Sequence, residues 1–404
     1  MFNAPHGGQS ARLAMVMSGS DNHIRLLMQQ PALPAFRVPF FRALASRKGI
    51  DFCLLYADGD VPTVPPDGFV AVCRPLKRWM GRVIWDSAHL KRIRPVDESE
   101  SWDVHILTWN TRYLSLIPAI RRAKRCRSGV ICWGHGYSKS EGALRSWLRF
   151  KTARMSDAIV LYSRSVAESY IERGIPAERV FVALNSLDPR PIQEAREKAL
   201  ADTEAQEAFR SEHGLTGPVL LYVSRVYKEN RVDRLMQSTK DLAAEFPDIK
   251  TVVIGLGPGL DDLKAEAARL GIKGNVIFTG AVYGEENIAP WFLAADAFCY
   301  PENIGLSILH AMNHALPVVT SDKIESQNPE IEALRDRENG LLYRHGDTDD
   351  MTAKLRELIT NKELNEKLGA EAHRTATEDY STDRMADGME AAVRFAFEKS
   401  LQRR

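Results

Sequence analysis

The chain has 404 residues, of which 44% are hydrophobic and 26% are charged, values close to those of ordinary globular proteins. This composition excludes a disordered or fibrous chain, and the length predicts two or three domains. No apolar run approaches the roughly 18 residues of a membrane-spanning helix, since a run such as Leu13–Met17 has only five. Five cysteines without a Cys-x-x-Cys pair indicate reduced thiols in a cytosolic protein and argue against a zinc site.

The net charge of +1 conceals an asymmetry between the two halves of the chain. Residues 1–190 contain 28 Lys and Arg against 16 Asp and Glu, a net charge of +12, and the remainder carries −11. The basic side chains cluster at 74–82, 91–94, 121–127 and 145–154. These clusters are typical either of solvated helix faces or of a surface that attracts anionic lipid or a phosphorylated acceptor. Trp79, Trp85 and Trp147 among them suit a membrane interface, and equally the core of a domain.

Short apolar segments alternate with helical patterns along nearly the whole chain, which predicts β-α-β units and parallel sheets. In the first half we predict strands at Ile24–Met28, Asp51–Tyr56, Asp103–Leu107, Val130–Trp133, Ala158–Tyr162 and Val180–Ala183. The helices predicted between them are Phe36–Arg47, Leu114–Lys124 and Ser163–Arg173. A second series of strands is predicted at Val219–Val223, Thr251–Ile254, Val276–Phe278, Ala297–Tyr300 and Pro317–Thr320.

The segment between the two series, Pro189–Thr216, breaks this rhythm and is rich in Ala, Glu and Arg. We therefore predict an α/β protein with two Rossmann-like, doubly wound parallel-sheet domains that face each other across a cleft. The predicted parts are an N-terminal domain at 1–188, a connection at 189–217, a C-terminal domain at 218–380, and a helix at 381–404 that packs back toward the first domain. Ligand sites are expected at the carboxyl ends of the strands.

Two stretches of the second half carry candidate chemistry. Gly255-Leu-Gly257-Pro-Gly follows a strand directly, and glycines there allow either close approach to a ligand or simply a tight turn. The stretch 300–321 predicts a strand, an acidic loop, a helix from about Ser307 and another strand. Free N–H groups at the start of that helix, with Gly305 leaving room, predict a diphosphate site. Glu302 precedes it and can accept hydrogen bonds from sugar hydroxyls, although an acidic residue near a helix start is also favoured by the helix dipole alone.

This second stretch resembles the Glu-x7-Glu region of retaining, GT-B-fold glycosyltransferases of family four, also called glycosyl transferases group 1. Glu302 matches the first glutamate of that motif, and Gly305-Leu306 and Pro317-Val-Val match its surroundings. Further similar segments are Leu221–Asp233, Val253–Pro258, Val276–Gly280, Pro34–Phe41, Trp133–Gly136 and Ala183–Asp188. The likeness therefore spans most of the chain.

The resemblance implies an acceptor-binding first domain and a second domain that binds a nucleotide sugar. It implies catalytic roles for Glu302, Arg225 and His135. The donor-binding residues that it implies are Ser224, Arg225, Lys228, Asn230, Gly255, Gly257, Thr279, Gly280, Glu302, Asn303, Ile304, Gly305, Leu306, Ser307 and His310. The acceptor-binding residues are Arg37, His135 and Lys139. A structural role for His135 is the alternative.

Three positions depart from the family pattern. The second glutamate of the motif falls on His310, the phosphate-binding lysine falls on Asn230, and Ser224 replaces a glycine. A histidine offers one ring nitrogen where a glutamate offers two oxygens to ribose hydroxyls, and the loss of such a bond costs about 1.5–3 kcal/mol. These departures leave the identity of the donor open.

The expected function is the transfer of a sugar, with retention of configuration, from a nucleotide-sugar donor to a lipid-linked acceptor of the cell envelope or of an exopolysaccharide. The enzyme is expected in the cytoplasm at the inner face of the membrane. No cofactor, metal or nucleic acid is expected: Asp58-Gly-Asp60 fits a turn, and Asp347 a helix cap. Peripheral contact with anionic membrane through the basic half is expected. The alternatives are a sugar-nucleotide-binding or scaffolding subunit without turnover, favoured by His310 and Asn230, and a nucleotide-sugar epimerase.

Overall fold

The computed structural model describes residues 23–57, 63–73, 102–138 and 142–403, together with the backbone of 77–79 and 82–84. The chain divides into two compact units, residues 1–184 with 382–404 (unit 1) and residues 185–381 (unit 2). Of the features predicted above, Leu13–Met17, Asp58, Asp60, Lys139, Trp85 and the basic cluster at 91–94 lie outside the described residues.

The strands of unit 1 are β1 (Ile24–Gln30), β2 (Ile50–Tyr56), β3 (Val70–Cys73), β4 (Lys77–Trp79), β5 (Arg82–Ile84), β6 (Val104–Thr108), β7 (Gly129–Gly134), β8 (Ala158–Leu161) and β9 (Val180–Val182). Seven of them form one parallel sheet in the order β3-β2-β1-β6-β7-β8-β9, and β4 and β5 form an antiparallel pair. The order reverses direction between β1 and β6, as in a doubly wound fold.

The helices before unit 2 are α1 (Val38–Ala45), α2 (Leu116–Arg125), α3 (Ala143–Met155) and α4 (Arg164–Glu172). Helices cover both faces of the sheet, so neighbouring side chains of one strand are buried on opposite sides. In β1, Leu26 and Met28 belong to a cluster with α1, whereas Leu27 belongs to a cluster with Cys53 of β2. The strands therefore read as continuous apolar runs, which is why they could be predicted.

Unit 2 contains the strands β10 (Val219–Val223), β11 (Lys250–Ile254), β12 (Val276–Gly280), β13 (Ala297–Cys299), β14 (Val318–Ser321) and β15 (Gly340–Tyr343). All pair in parallel in the order β12-β11-β10-β13-β14-β15, so the reversal lies between β10 and β13. Its helices are α5 (Pro189–Ala201), α6 (Thr203–Glu212), α7 (Val232–Ala243), α8 (Leu260–Arg269), α9 (Glu285–Ala294), α10 (Ser307–Asn313), α11 (Thr348–Thr360) and α12 (Lys362–Glu378).

The segment 189–217, predicted as the connection between the domains, is largely helical. It forms α5 and α6, which belong to unit 2, and α5 packs against α9. Arg210 of α6 donates a hydrogen bond to the carbonyl oxygen of Ala294 at the end of α9, at 2.8 Å. The Ala- and Glu-rich composition therefore marks two surface helices of unit 2.

The last helix, α13 (Thr382–Leu401), belongs to unit 1 although it follows unit 2 in the chain. Met385, Met389, Ala392 and Ala396 form its fully buried stripe, at the spacing of one helix face. Gly388 allows the close approach, because a Cβ atom there would lie 2.0 Å from the carbonyl oxygen of Val182. None of the described helices combines the length and apolar composition needed to cross a membrane.

Candidate active site

The candidate site of unit 2 lies at the carboxyl ends of β10 and β13, where the strand order reverses. Connections leaving two such strands run to opposite faces of the sheet, which opens a crevice for a ligand. The loop 224–231 follows β10, and the loop 300–306 follows β13. These two loops contain nine of the fifteen residues expected to bind the donor.

Glu302 is 4% exposed, and both of its carboxylate oxygens have partners within the protein. Oε1 lies 3.1 Å from Nη1 of Arg234 and 2.7 Å from Nδ1 of His345. Oε2 accepts a hydrogen bond of 3.0 Å from the hydroxyl of Ser326. A carboxylate has about four lone-pair sites, so these contacts fix its orientation and leave acceptor capacity for a ligand. The sequence motif indicated Glu302, but nothing in it pointed to Arg234, His345 or Ser326.

Asn230 joins the two loops instead of presenting its amide to solvent. It is 1% exposed, and its Nδ2 donates to the hydroxyl of Tyr222 and to the carbonyl oxygen of Arg225, both at 2.8 Å. Its Oδ1 accepts from Nδ2 of Asn303 at 3.2 Å, and its carbonyl oxygen accepts from the N–H of Glu302 at 3.2 Å. The polar atoms of the Asn230 side chain are therefore used within the protein, where they hold the two loops together.

The side chains of Arg225 and Lys228 are exposed on the β10 loop. The Arg225 guanidinium donates to the hydroxyl of Tyr227 at 3.3 Å, and this bond raises the pKa of Arg225. Ser224, at the position of the family glycine, accepts a hydrogen bond of 3.2 Å from the hydroxyl of Tyr300. The loop therefore presents the positively charged side chains of Arg225 and Lys228 to solvent, while the hydrogen bond from Asn230 to the carbonyl oxygen of Arg225 fixes its backbone.

The glycine loop after β11 is required by the packing of the protein on itself. Gly255 has φ +146°, and a Cβ atom there would lie 1.9 Å from the carbonyl oxygen of Ser224. A Cβ atom on Gly257 would lie 2.4 Å from the carbonyl oxygen of Val226. Close approach to the loop after β10 therefore accounts for both glycines.

Two exposed apolar side chains border the carboxyl end of β12. Leu256 is 54% exposed and lies beside Gly280, while Tyr283 is 82% exposed three residues further on. The hydroxyl of Thr279 donates to the carbonyl oxygen of Gly280 at 2.9 Å. An exposed apolar surface, formed by Leu256 and Tyr283, therefore lies next to the residues 279 and 280 that are expected to bind the donor. The sequence motif did not indicate this surface.

The start of α10 presents backbone N–H groups. The N–H of Ile304 is used by Oε1 of Gln327 at 2.8 Å, and Asn328 donates to the carbonyl oxygens of Asn303 and Ile304 at 3.0 Å. In the part of the chain that the structure describes, no acceptor is found for the N–H groups of Gly305, Leu306 and Ser307. Such a group of donors suits an anion.

His310 lies one turn further along α10, where the family glutamate was expected. Its Nε2 lies 2.8 Å from Oε2 of Glu285, the first residue of α9, and its ring packs 4.7 Å from that of Phe292. The side chain is 16% exposed. A carboxylate therefore stands next to His310 and was not foreseen.

The candidate residues of unit 1 meet at the carboxyl ends of β7 and β8. The guanidinium of Arg37 lies 5.2 Å from the ring centroid of Tyr162 and 5.4 Å from that of Trp133. The ring of His135 lies 4.8 Å from that of Tyr162. Gly136 has φ +73° and its carbonyl oxygen accepts from the hydroxyl of Tyr170, so the turn that carries His135 is fixed.

Two other expectations from the sequence have definite outcomes. Asp347 caps α11 by accepting a hydrogen bond from the N–H of Asp350 at 2.9 Å.

Arg149, grouped above with Trp147 on a basic surface, is instead 5% exposed and donates to the carbonyl oxygen of Trp109. Spacing explains the difference, because residues 149, 152 and 153 form the buried face of α3 and Trp147 lies on the other.

Comparison with known sequences gives a family match in unit 2. Residues 204–375 match the family described as Glycosyl transferases group 1. A putative glycosyltransferase, EpsD of Bacillus subtilis, is 24% identical over 280 residues, which cover 67% of this chain and 71% of that protein. The alpha-monoglucosyldiacylglycerol synthase of Streptococcus pneumoniae is 31% identical over 187 residues, 45% of this chain and 41% of that protein. These alignments reach only part of the length of each relative.

Among solved structures, that of Anabaena Alr3699/HepE in complex with UDP has a TM-score of 0.67 at 16% identity. The superposition covers 91% of this chain and 98% of HepE, so the likeness extends over both units. At this identity it shows the fold. Residues 204–375 of unit 2 therefore resemble the glycosyl transferases group 1, and the two parallel sheets have the GT-B fold.

Proposed function

We propose that this protein transfers a sugar from a nucleotide-sugar donor to a cell-envelope or exopolysaccharide acceptor, with retention of anomeric configuration and without a divalent metal in the reaction. The observation that carries the proposal is the buried carboxylate of Glu302, held by Arg234 and His345 at the reversal point of the unit 2 sheet. It lies within the segment that matches the group 1 family.

The leaving diphosphate is proposed to bind between the β10 loop and the start of α10. Negative charge grows on it as the bond to the sugar breaks, and groups that stabilise this charge accelerate the reaction. Arg225 offers a guanidinium that suits phosphate oxygens, and Lys228 adds a second accessible cation. The N–H groups of Gly305, Leu306 and Ser307 supply fixed donors. A phosphate oxygen of the leaving group takes the proton of the acceptor hydroxyl, so the step needs no second carboxylate.

Glu302 is proposed to orient the donor sugar through its free lone pairs. A carboxylate that is already fixed by Arg234 and Ser326 loses little side-chain freedom when a hydroxyl group binds. The nucleotide base is assigned to the exposed surface of Leu256 and Tyr283, and the ribose to the neighbourhood of His310. The reported complex of HepE with UDP supports a uridine nucleotide as the first donor to test.

The acceptor is assigned to unit 1, where Arg37 and His135 surround Tyr162, with Lys139 nearby in sequence. A lipid-linked acceptor is supported by the glycolipid named in the relative from Streptococcus pneumoniae. The exposed face of α3 adds support, because Leu144 is 76% exposed, Trp147 is 56% exposed, and Nζ of Lys151 lies 4.8 Å from the Trp147 ring. We propose that this face contacts anionic lipid at the cytoplasmic side of the membrane.

A subunit that binds a sugar nucleotide without turnover is the second candidate. The internal hydrogen bonds of Asn230 and the pairing of His310 with Glu285 favour it, because both side chains already have partners within the protein. Thermal unfolding measured with uridine, guanosine and thymidine diphosphosugars tests donor binding first. A ligand at 100 times its dissociation constant stabilises the protein by about 2.7 kcal/mol. Release of the nucleoside diphosphate from the same donor supports the enzyme, and binding without release supports the second candidate.

A further inference from the structure

Three side chains of unit 2 converge outside the set that holds Glu302. Glu285 is the first residue of α9. His310 lies within α10, and His314 is the residue directly after it. A spacing of four residues places both rings on one side of the helix. One oxygen or nitrogen atom of each residue lies within 4.8 Å of the corresponding atoms of the other two. The closest pair is Oε2 of Glu285 and Nε2 of His310, at 2.8 Å.

His314 is the residue that packing alone leaves unexplained. It is 3% exposed, and within the described part of the chain neither of its ring nitrogens has a hydrogen-bond partner. Its ring stacks on Phe292 with centroids 4.5 Å apart and planes 8° apart. Burial of a polar group without a partner is unfavourable, so an imidazole held this way indicates a ligand for a ring nitrogen.

We propose that Glu285, His310 and His314 bind one divalent transition-metal ion, with Zn²⁺ as the ion that fits best. Two imidazoles and one carboxylate form a ligand set that zinc uses in proteins, whereas Mg²⁺ and Ca²⁺ prefer oxygen ligands alone. Zinc bonds of about 2 Å in a tetrahedron separate the ligand atoms by roughly 3.4 Å. The Glu285 and His310 atoms lie 2.8 Å apart and all three atoms lie within 4.8 Å of one another, a range that includes this separation.

The graded exposure of the three residues indicates that an ion would enter from the Glu285 side. The exposed fraction of the side chain falls from 33% for Glu285 to 16% for His310, with His314 innermost. Water fills the fourth position on the Glu285 side. The ion takes no part in the proposed transfer step, but when bound it would occupy His310 and so alter the ribose site proposed there.

Zinc affinity of the full chain tests the proposal. The protein is freed of metal by dialysis against a chelator, and Zn²⁺ is then titrated in competition with a chromophoric chelator. We expect one zinc ion per chain and at least a 100-fold loss of affinity in Glu285→Gln and in His314→Ala. Glu286→Gln is the matched control, because Glu286 is the exposed next residue of the same helical turn and should bind as the wild type does.

A Cys73→Ser/Cys126→Ser variant excludes zinc held by the two exposed cysteines, and it should keep the site. Substitution with Co²⁺ provides a second readout, since a four-coordinate ion absorbs strongly in the visible region. Because Glu285 lies at the surface, its variant should fold even if His314→Ala does not. Unchanged affinity in folded Glu285→Gln, or the absence of a one-to-one complex in the wild type, would overturn the proposal.

Discussion

Arg234 and Glu302 lie 68 positions apart in the sequence and form a buried ion pair, with Nη1 of Arg234 3.1 Å from Oε1 of Glu302. Their side chains are 13% and 6% exposed. The pair joins the first turn of α7 to the loop after β13, so it holds together the two connections on which the proposed site depends. Glu302 is therefore a structural residue as well as a candidate catalytic one.

The first prediction concerns the stability that this pair provides. Arg234→Met leaves the carboxylate of Glu302 buried without its main counter-charge, and we expect the free energy of unfolding to fall by about 3 kcal/mol. A double-mutant cycle with Glu302→Gln, followed by urea unfolding, should give a coupling of at least about 1 kcal/mol. The exposed pair Arg269 and Glu266 is the control and should show no measurable coupling. Additive effects at Arg234 and Glu302 would contradict the arrangement described.

The second prediction concerns the position at which the family has a lysine. The side chain of Asn230 makes three hydrogen bonds, and the residue is 1% exposed. Asn230→Lys replaces the amide with a buried charge, so we expect the free energy of unfolding to fall by about 3 kcal/mol. Donor affinity should not improve. Lys228→Asn, at an exposed position of the same loop, should keep the stability of the wild type and weaken donor binding. A stable Asn230→Lys protein with tighter donor binding would instead favour a direct phosphate contact at 230.

The sequence was sufficient to predict both sheets because strands covered on two faces are continuous apolar runs. The structure adds β3 and β15, each at the edge of its sheet, and the antiparallel pair β4 and β5; β3 is only partly buried, and β15 begins with a glycine. The segment 189–217 has an ordinary surface composition because its two helices bury little, with Ile192 as their one buried residue, and such a composition does not show which unit they pack on. Motif positions such as Glu302 could be found, whereas the partners Arg234 and His345 come from other elements and no local pattern connects them.

The third prediction is a pH dependence of stability in unit 1. Burial lowers the pKa of His105 from 6.5 to about 4, so the folded protein binds fewer protons than the unfolded chain between these values. Stability must therefore fall as the pH decreases through this range, and at pH 5 His105 should account for about 2 kcal/mol relative to pH 7. His105→Leu should lose correspondingly less stability on acidification. Urea unfolding at pH 7 and 5 can be followed by the fluorescence of the buried Trp102, Trp109 and Trp133, and equal losses in both proteins would contradict the prediction.

The fourth prediction concerns the exposed face of α3. Lys151→Glu/Arg154→Glu reverses two exposed charges beside Trp147, and each basic residue near an anionic surface contributes about 1 kcal/mol. We expect sedimentation with anionic vesicles at low salt to weaken more than tenfold, with nucleotide affinity unchanged. Lys198→Glu/Lys240→Glu makes the same change in charge at exposed positions of unit 2 and should have little effect. Equal binding of the wild type to neutral and anionic vesicles, or to neither, would point to a soluble acceptor.

The central claim is that Glu302 lies at the centre of a sugar-transfer site. The most direct test measures the rate at which nucleoside diphosphate is released from a bound donor, with and without acceptor glycan. We predict that Glu302→Gln, in protein shown to be folded, lowers this rate about 100-fold, since an amide cannot supply the charge of the carboxylate. Glu325→Gln, an exposed change on the neighbouring segment, should keep the wild-type rate. A folded Glu302→Gln protein with the rate of the wild type would contradict the account.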